Sequence, residues 1–140
     1  MSDKKLDRAT LQASMDASPF IKNAQMSVTS VDHERDSITV TMPLLPEFER
    51  APETGQFHGG PIASLIDTAG CYALVMILKS GVPTVNFRVD YLRPAFNTSL
   101  RAVANVRRVG KTVGVVDVDV FDDSERLVAV GRGTFSNQTG

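Results

Sequence analysis

Gly59 and Gly60 open an apolar stretch, and Asp67 is the one carboxylate between His58 and Lys79. Amides at a helix start have no intrahelical partner, and the helix dipole adds positive potential there. Gly59-Gly60 can therefore hold an anion or the oxyanion of an attacked carbonyl. A tight turn into the helix would use the same two glycines. Asp67 can serve as nucleophile or general base beside a reacting carbon in partly dry surroundings. The competing reading is a carboxylate paired with an arginine across an interface. Left unpaired in an apolar setting it would cost on the order of several kcal/mol. Ser64, Asp67, Thr68 and Cys71 share one helical face by their spacing. That polar stripe suits either a lined pocket or a bonded seam between subunits.

Spacing separates the two candidates. Gly59 and Asp67 are eight positions apart, and at ~1.5 Å per residue they stand roughly 12 Å apart along one helix. They cannot act on one carbonyl carbon from a single chain. If both are catalytic, each site takes its Asp67 from the neighbouring subunit's helix. Two such helices crossing antiparallel about a two-fold axis create two equal sites.

A basic segment follows. Residues 83–111 carry Arg88, Arg93, Arg101, Arg107, Arg108 and Lys111 against Asp90 alone, a surplus of +5 in a chain of net charge -1. Gly110 gives a turn whose amides can face a phosphate; a solvated strand face is the plainer alternative. His58 can orient the loop or a substrate, although a histidine so placed is more often a structural hydrogen bonder. Cys71 has no neighbouring cue for activation and reads as a small buried residue. His33 falls in a hairpin turn. No metal-ligand spacing, Walker motif or Rossmann fingerprint is present.

The elements that must position these residues are legible from periodicity. Phe57–Lys79, apolar almost all round in its second half, predicts a helix buried on most sides. Gly59-Gly60-Pro61 marks its start. Lys79-Ser80-Gly81 marks its end, with a cation in the last turn and a glycine just past it. Residues 3–17 predict a weak amphipathic helix through Leu6, Leu11 and Met15, ended by Ser18-Pro19. Strands are predicted at Met26–Val31, Ser37–Met42, Thr84–Arg93, Leu100–Val109, Thr112–Phe121 and Arg126–Phe135. In the third, Val85, Phe87, Val89 and Tyr91 share one face. Pro43–Gln56 holds three prolines and a glycine and is a loop long enough to suggest a role. Short turns between the last strands make the sheet largely antiparallel. About six strands around one long helix give the α+β class, in a single domain over 1–140 with residues 1–20 as a helical extension. The open edges of such a sheet make dimerisation an economical protection.

Composition bounds the function. The 140 residues suit one domain, and 42% hydrophobic with 22% charged residues indicates a soluble globular protein. The near-neutral charge argues against nucleic-acid binding. One cysteine excludes an intrachain disulfide and a cysteine-only metal site. The start, MSDKKLDRATLQ, lacks the apolar core of a signal peptide. The longest apolar run, Ala73–Leu78, is too short to span a bilayer. A cytoplasmic protein with no membrane partner is expected.

His58-Gly59-Gly60, Leu65 and Asp67, then Tyr91-Leu92-Arg93-Pro94-Ala95 and Arg108-Val109-Gly110-Lys111-Thr112, resemble the hotdog-fold acyl-CoA thioesterases. The likeness is to the phenylacetate-pathway and 4-hydroxybenzoyl-CoA thioesterase group. It implies a six-stranded antiparallel sheet around one helix, a homodimer as the working unit, often paired into a homotetramer, and hydrolysis of a CoA thioester. No metal is implied, and no cofactor beyond the CoA of the substrate. Carried over, Asp67 is the catalytic carboxylate, as nucleophile or as base on water. The Gly59 amide polarises the carbonyl, Gly60 stands close by, and His58 opens the motif within the catalytic set. Thr84 falls where relatives place a small hydroxyl residue that holds the attacking water. Tyr91, Leu92, Arg93, Pro94, Ala95 and Phe96, with Arg108, Val109, Gly110, Lys111, Thr112 and Val113, fall on segments that contact CoA. Several relatives carry an asparagine six residues before the motif histidine. Here that residue is Pro52, which cannot donate the same hydrogen bond, and Gln56 or Thr54 are the candidates to replace it. Phe57, Phe87, Phe96, Leu65 and Ile66 are expected to line an aryl or medium-chain acyl pocket. The alternative functions are a non-catalytic acyl-CoA-binding or sensor protein and an enoyl-CoA hydratase, which would need a histidine–carboxylate pair.

Overall fold

A computed structural model describes residues 4–138. In chain order its elements are α1 (Arg8–Asp16), α2 (Pro19–Asn23), β1 (Ser27–Asp32), β2 (Ser37–Met42), α3 (Gly59–Leu78), β3 (Thr84–Tyr91), β4 (Leu100–Val109), β5 (Val113–Phe121) and β6 (Leu127–Ser136). A 3-10 turn at Pro46–Phe48 interrupts the long loop.

The six strands pair antiparallel in the order β1-β2-β4-β5-β6-β3 and curve around α3, which is the hotdog fold. Alternation explains which face turns inward. Ala102, Ala104, Val116, Val118 and Val120 are buried toward the helix, while Arg101, Asp117 and Asp119 point away. Register shifts at Val28/Ser30, Thr84/Asn86, Val106/Arg108 and Val120/Phe121 bend the sheet. Helix and sheet approach closely where side chains are missing. A Cβ on Gly131 would stand 2.6 Å from Ile66 Cγ2, and one on Gly70 would stand 3.1 Å from the buried Phe135 ring.

α3 starts as expected, with His58 as cap and Pro61 in the first turn, where its missing N–H costs nothing. Its end differs. Lys79, not Gly81, takes the left-handed conformation at φ 61°, and its N–H bonds Val75 O at 2.8 Å. With a mean hydropathy of 1.7 over its most apolar 18-residue window, α3 (Gly59–Leu78) is long and apolar enough to cross a membrane by length and composition. In this fold α3 is the core helix, and Asp67 interrupts it at the middle.

The N-terminal segment is two helices where one was expected; Asp3, the first residue of that expectation, lies outside the described residues. Asp7 caps α1 by accepting from Thr10 N at 2.9 Å, so Leu6 precedes the helix. Ser18-Pro19, read as a stop, is a start: Ser18 Oγ accepts from Ile21 N, and proline suits the first helical position. Leu11 and Met15 are buried. Gln12 also covers the β1 edge. Its Oε1 accepts from Val28 N at 2.7 Å and its Nε2 donates to Met26 O at 3.2 Å, as a neighbouring strand would.

β3, the other edge, has no such cover among the described residues. Val85, Phe87 and Tyr91 are 58%, 39% and 52% exposed. The alternation of β3 predicts one buried face, but an outermost strand lies beyond the reach of α3 along most of its length.

Candidate active site

Asp67 sits half-buried midway along α3. Thr84, the first residue of β3, donates from Oγ1 to Asp67 Oδ1 at 2.8 Å. The structure thus brings these two expected residues into direct contact, and Oδ2 is left for a second partner. One turn on, Cys71 Sγ–H points to Val82 O at 3.7 Å. Burial, and then the Asp67 charge, push the thiol up from 9.0 to about 11, while the Val82 contact acts the other way. Two pH units leave the thiolate roughly 100-fold scarcer than on a free cysteine near pH 8. Iodoacetamide should therefore alkylate native Cys71 about two orders of magnitude more slowly than the unfolded chain between pH 7 and 9, accelerating only toward pH 11. Equal rates in both states would contradict this burial.

The helix start is held from three sides. His58 Nδ1 accepts the Gly59 N–H at 2.8 Å, and the His58 amide donates to Phe48 O at 2.8 Å. The Tyr91 hydroxyl donates to Gly59 O at 2.8 Å. A Cβ on Gly59 would meet that hydroxyl at 3.1 Å, so glycine here permits the tyrosine's approach; Gly60 is exposed and open. Between Gly59 and the Tyr91–Ala95 segment lies a cavity of about 350 Å³, with Phe57, Ile62, Arg50 and Gln56 completing its walls. Leu92 and Arg93 amides are anchored on Val128 O, and Ala95 O accepts from Phe57 N at 2.9 Å. Phe96 is exposed and pairs by backbone with Gln56.

Arg50 and Ile62 were not singled out from sequence. The loop Pro43–Gln56 was, but only its fold-back onto residues 95–97 shows which loop residue arrives at the cavity. Gln56 Oε1 accepts from Arg50 Nε at 3.0 Å, which leaves its NH₂ free of that bond. Thr54 Oγ1 donates to Ala51 O at 2.8 Å and closes the turn that carries the exposed Pro52. Of the two candidates to replace the asparagine, Gln56 is the one that lines the cavity.

The second expected CoA segment is elsewhere in the protomer. Arg108–Val113 turns from β4 into β5 at the far end of α3, where a Cβ on Gly114 would touch Leu74 at 2.7 Å. Leu74 is about 22 Å from Gly59 at the helical rise, so one chain does not unite the two segments. Gly110 N–H is already bonded to Val113 O at 2.8 Å, and its carbonyl accepts from the Asn137 amide. That corrects the expectation that the Gly110 amide faces a phosphate. The basic surplus also narrows. Arg88 pairs with Asp90 at 3.2 Å, Arg107 with Asp117 at 3.5 Å, and Arg101 with Glu125 while stacking on Phe121. Among the described residues, no ion pair engages Arg93, Arg108 or Lys111.

The expected acyl lining does not form as a unit. Leu65 and Ile66 are core residues against the sheet, Phe57 is at the Gly59 cavity, and Phe87 and Phe96 lie exposed. A wider concavity, about 610 Å³, is on the outer face of the sheet; Arg88 and Arg107 of the basic segment line it, but Asp67, Gly59, His58 and Thr84 do not. There Arg132 grips Asp117 through two bonds of 2.6 and 3.0 Å, and that hydrogen bonding holds the carboxyl below the usual range. It is a satisfied ladder of opposite charges.

Comparison with known proteins agrees with this fold. A profile of the thioesterase superfamily matches residues 54–129, from the end of the proline-rich loop to β6. A Halobacterium salinarum protein named "putative esterase" is 45% identical over 94 residues, 60% of this chain and 62% of its own. The acyl-coenzyme A thioesterase PaaI of Escherichia coli is 39% identical over 77 residues, 54% of each chain. The matched stretch thus spans little more than half the length of these curated relatives. The solved structure of the E. coli PaaI protein superposes with a TM-score of 0.81 at 28% identity, covering 95% of this chain and 92% of that one. A solved protein described as from the thioesterase superfamily superposes with a TM-score of 0.88 at 31% identity, covering 94% and 98%. This chain, through a match that runs from the loop before α3 into β6, belongs to the thioesterase superfamily.

Proposed function

We propose that the protein hydrolyses acyl-CoA thioesters as a homodimer, without a metal or cofactor, in the cytoplasm. The observation that carries this reading is the Asp67 carboxylate, half-exposed on the open stripe of α3 and oriented by the Thr84 hydroxyl beside an uncovered strand edge. Gly60, Ala63, Ser64, Asp67 and Cys71 make that stripe narrow, so a second α3 can cross it closely. Pairing of β3 with its copy would cover Val85 and Phe87 at the same time. Such a crossing sets Asp67 of one subunit at the Gly59 end of the other.

There Oδ2 either attacks the thioester carbon or takes a proton from an attacking water while Thr84 fixes Oδ1. The carbonyl oxygen displaces the His58 ring from the Gly59 N–H, and that amide with the helix dipole stabilises the oxyanion. CoA leaves as thiolate, and the acyl group leaves as the free acid, directly when water attacks, or after water opens the Asp67 mixed anhydride when Oδ2 attacks. The CoA arm fits the cavity between Gly59 and Tyr91, with Arg50 and Arg93 at hand for phosphate and Gln56 offering its NH₂. Arg108 and Lys111 serve the same CoA from the opposite chain or from a paired dimer.

The test is steady-state release of free thiol from aryl, short-chain and long-chain CoA esters. Catalytic release from at least one class is expected. Tight binding without release would favour a sensor, and hydration of an enoyl ester without release a hydratase.

A further inference from the structure

A second groove opens at the same helix end, across the helix start from Tyr91. It measures about 300 Å³. Its floor is Ala24, Met26 and Met42, all buried, and its walls are Phe20, Phe48 and Pro61. Those residues come from α2 and the turn that leads from it into β1, from β2, the 3-10 turn and α3, so no single stretch of sequence announces them. Gly60 and Ser64 form its helix side. Among the described residues, Glu47 is the one charged side chain that lines it. Phe20 overhangs it at 57% exposure, unusual for a phenyl ring on a five-residue helix with no buried residue of its own.

We infer that this groove takes the acyl group of the thioester, and that the acyl group is uncharged, apolar and no larger than about ten carbons. The inference rests on the hydrolase reading for its starting point, a carbonyl held at the Gly59 amide. From that point the groove is the apolar space that begins at the very next residue, Gly60. At ~30 Å³ for a water-sized group, 300 Å³ holds about ten such groups, enough for a medium chain or a ring with a short tether. A methionine floor adapts to either shape, because the unbranched thioether side chain repacks at little cost. Each methylene that enters should tighten binding about fourfold, and those beyond the groove should add nothing. Glu47 at the rim sets the sign of what is refused. Facing a second carboxylate on an acyl tail at ~4 Å, it would weaken binding at least about fivefold even in a water-like medium.

The experiment titrates straight-chain acyl-CoAs of two to sixteen carbons, and one dicarboxylic acyl-CoA, into the full-length protein by calorimetry, with thiol release followed on the same esters. The variants are Phe20→Ala, at an exposed position where folding is safe, and Glu47→Gln. Wild-type affinity relative to CoA should climb about fourfold per methylene and level off near ten carbons. Phe20→Ala should flatten that climb, losing about tenfold at ten carbons with acetyl-CoA unchanged. Glu47→Gln should gain about fivefold for the dicarboxylic ester and nothing for its neutral counterpart. Affinity independent of chain length, or a Phe20→Ala loss equal for all esters, overturns the acyl groove. The predicted climb with no thiol released from any ester leaves the groove standing and removes the hydrolase reading instead.

Discussion

Asp67→Asn should lower thiol release at least ~100-fold, the usual loss for a general base or nucleophile, with CoA affinity and thermal midpoint near wild type. Asparagine keeps the shape, and its carbonyl can still accept from Thr84 Oγ1, which lies 2.8 Å from the carboxylate in the native chain. The substitution therefore leaves the orienting bond and the seating of β3 intact. What it removes is the negative charge and the lone pair that attacks carbon or water. The stripe on which Asp67 lies is half-exposed, so no buried charge is lost with it. Single-turnover and steady-state assays on one ester, beside a melting curve and CoA calorimetry, make the measurement. Turnover near wild type would remove Asp67 from the mechanism, and a collapsed melting point would assign it to the fold.

The second large effect is a gain. Asp67→Asn and Gly59→Val should each be nearly inactive alone, the second because a side chain at Gly59 must push away Tyr91, whose hydroxyl and ring carbon would lie 3.1 and 3.2 Å from the new Cβ. Unfolded together and refolded as a mixture, they should recover about a quarter of wild-type activity. The reasoning is geometric. Gly59 and Asp67 lie on one helix roughly 12 Å apart, so each site draws its amide from one chain and its acid from the other. A mixed dimer about a two-fold axis then has one site with both lesions and one with neither, and random reassortment makes about half the dimers mixed. Recovery no greater than the sum of the separate variants, in a mixture shown to contain mixed dimers, would place both groups in a single chain and end the cross-subunit scheme.

Periodicity was enough to place α3 and the six strands: the helix and most strands turn a face to one core and their apolar residues repeat accordingly, and β3 alternates likewise although its apolar face is left exposed. The chemistry was legible where a residue type was out of place: a carboxylate in an apolar helix, paired glycines before a proline. Local rules failed where one motif fits two conformations or where contacts from afar decide. Ser18-Pro19 reads as a stop or a start with equal ease until Ser18 Oγ is seen to accept from Ile21 N. Gly81 read as the glycine just past the helix end, yet Lys79 takes the left-handed conformation, and the buried Val82 follows three residues later. The Gly110 turn looked open to an anion until the β4–β5 and Asn137 contacts consumed its polar groups. Arg50, Phe20 and Met42 are scattered over elements that only the closed sheet brings beside the helix start. The contact of Thr84 with Asp67 spans seventeen positions and an entire helix end, and no periodicity encodes it.

Gly131 is bracketed by Ile66 on the helix and by the Arg88 carbonyl on β3, each under 3 Å from where its Cβ would be. That vacancy is a gauge block in negative: the missing methyl sets the clearance between rod and cradle, and the outermost strand is hung at the depth it dictates. Thr84 is carried on that strand. The reach from hydroxyl to acid is thus metered by atoms that β6 omits, and a tolerance cut into the cradle becomes a tolerance at the reacting end.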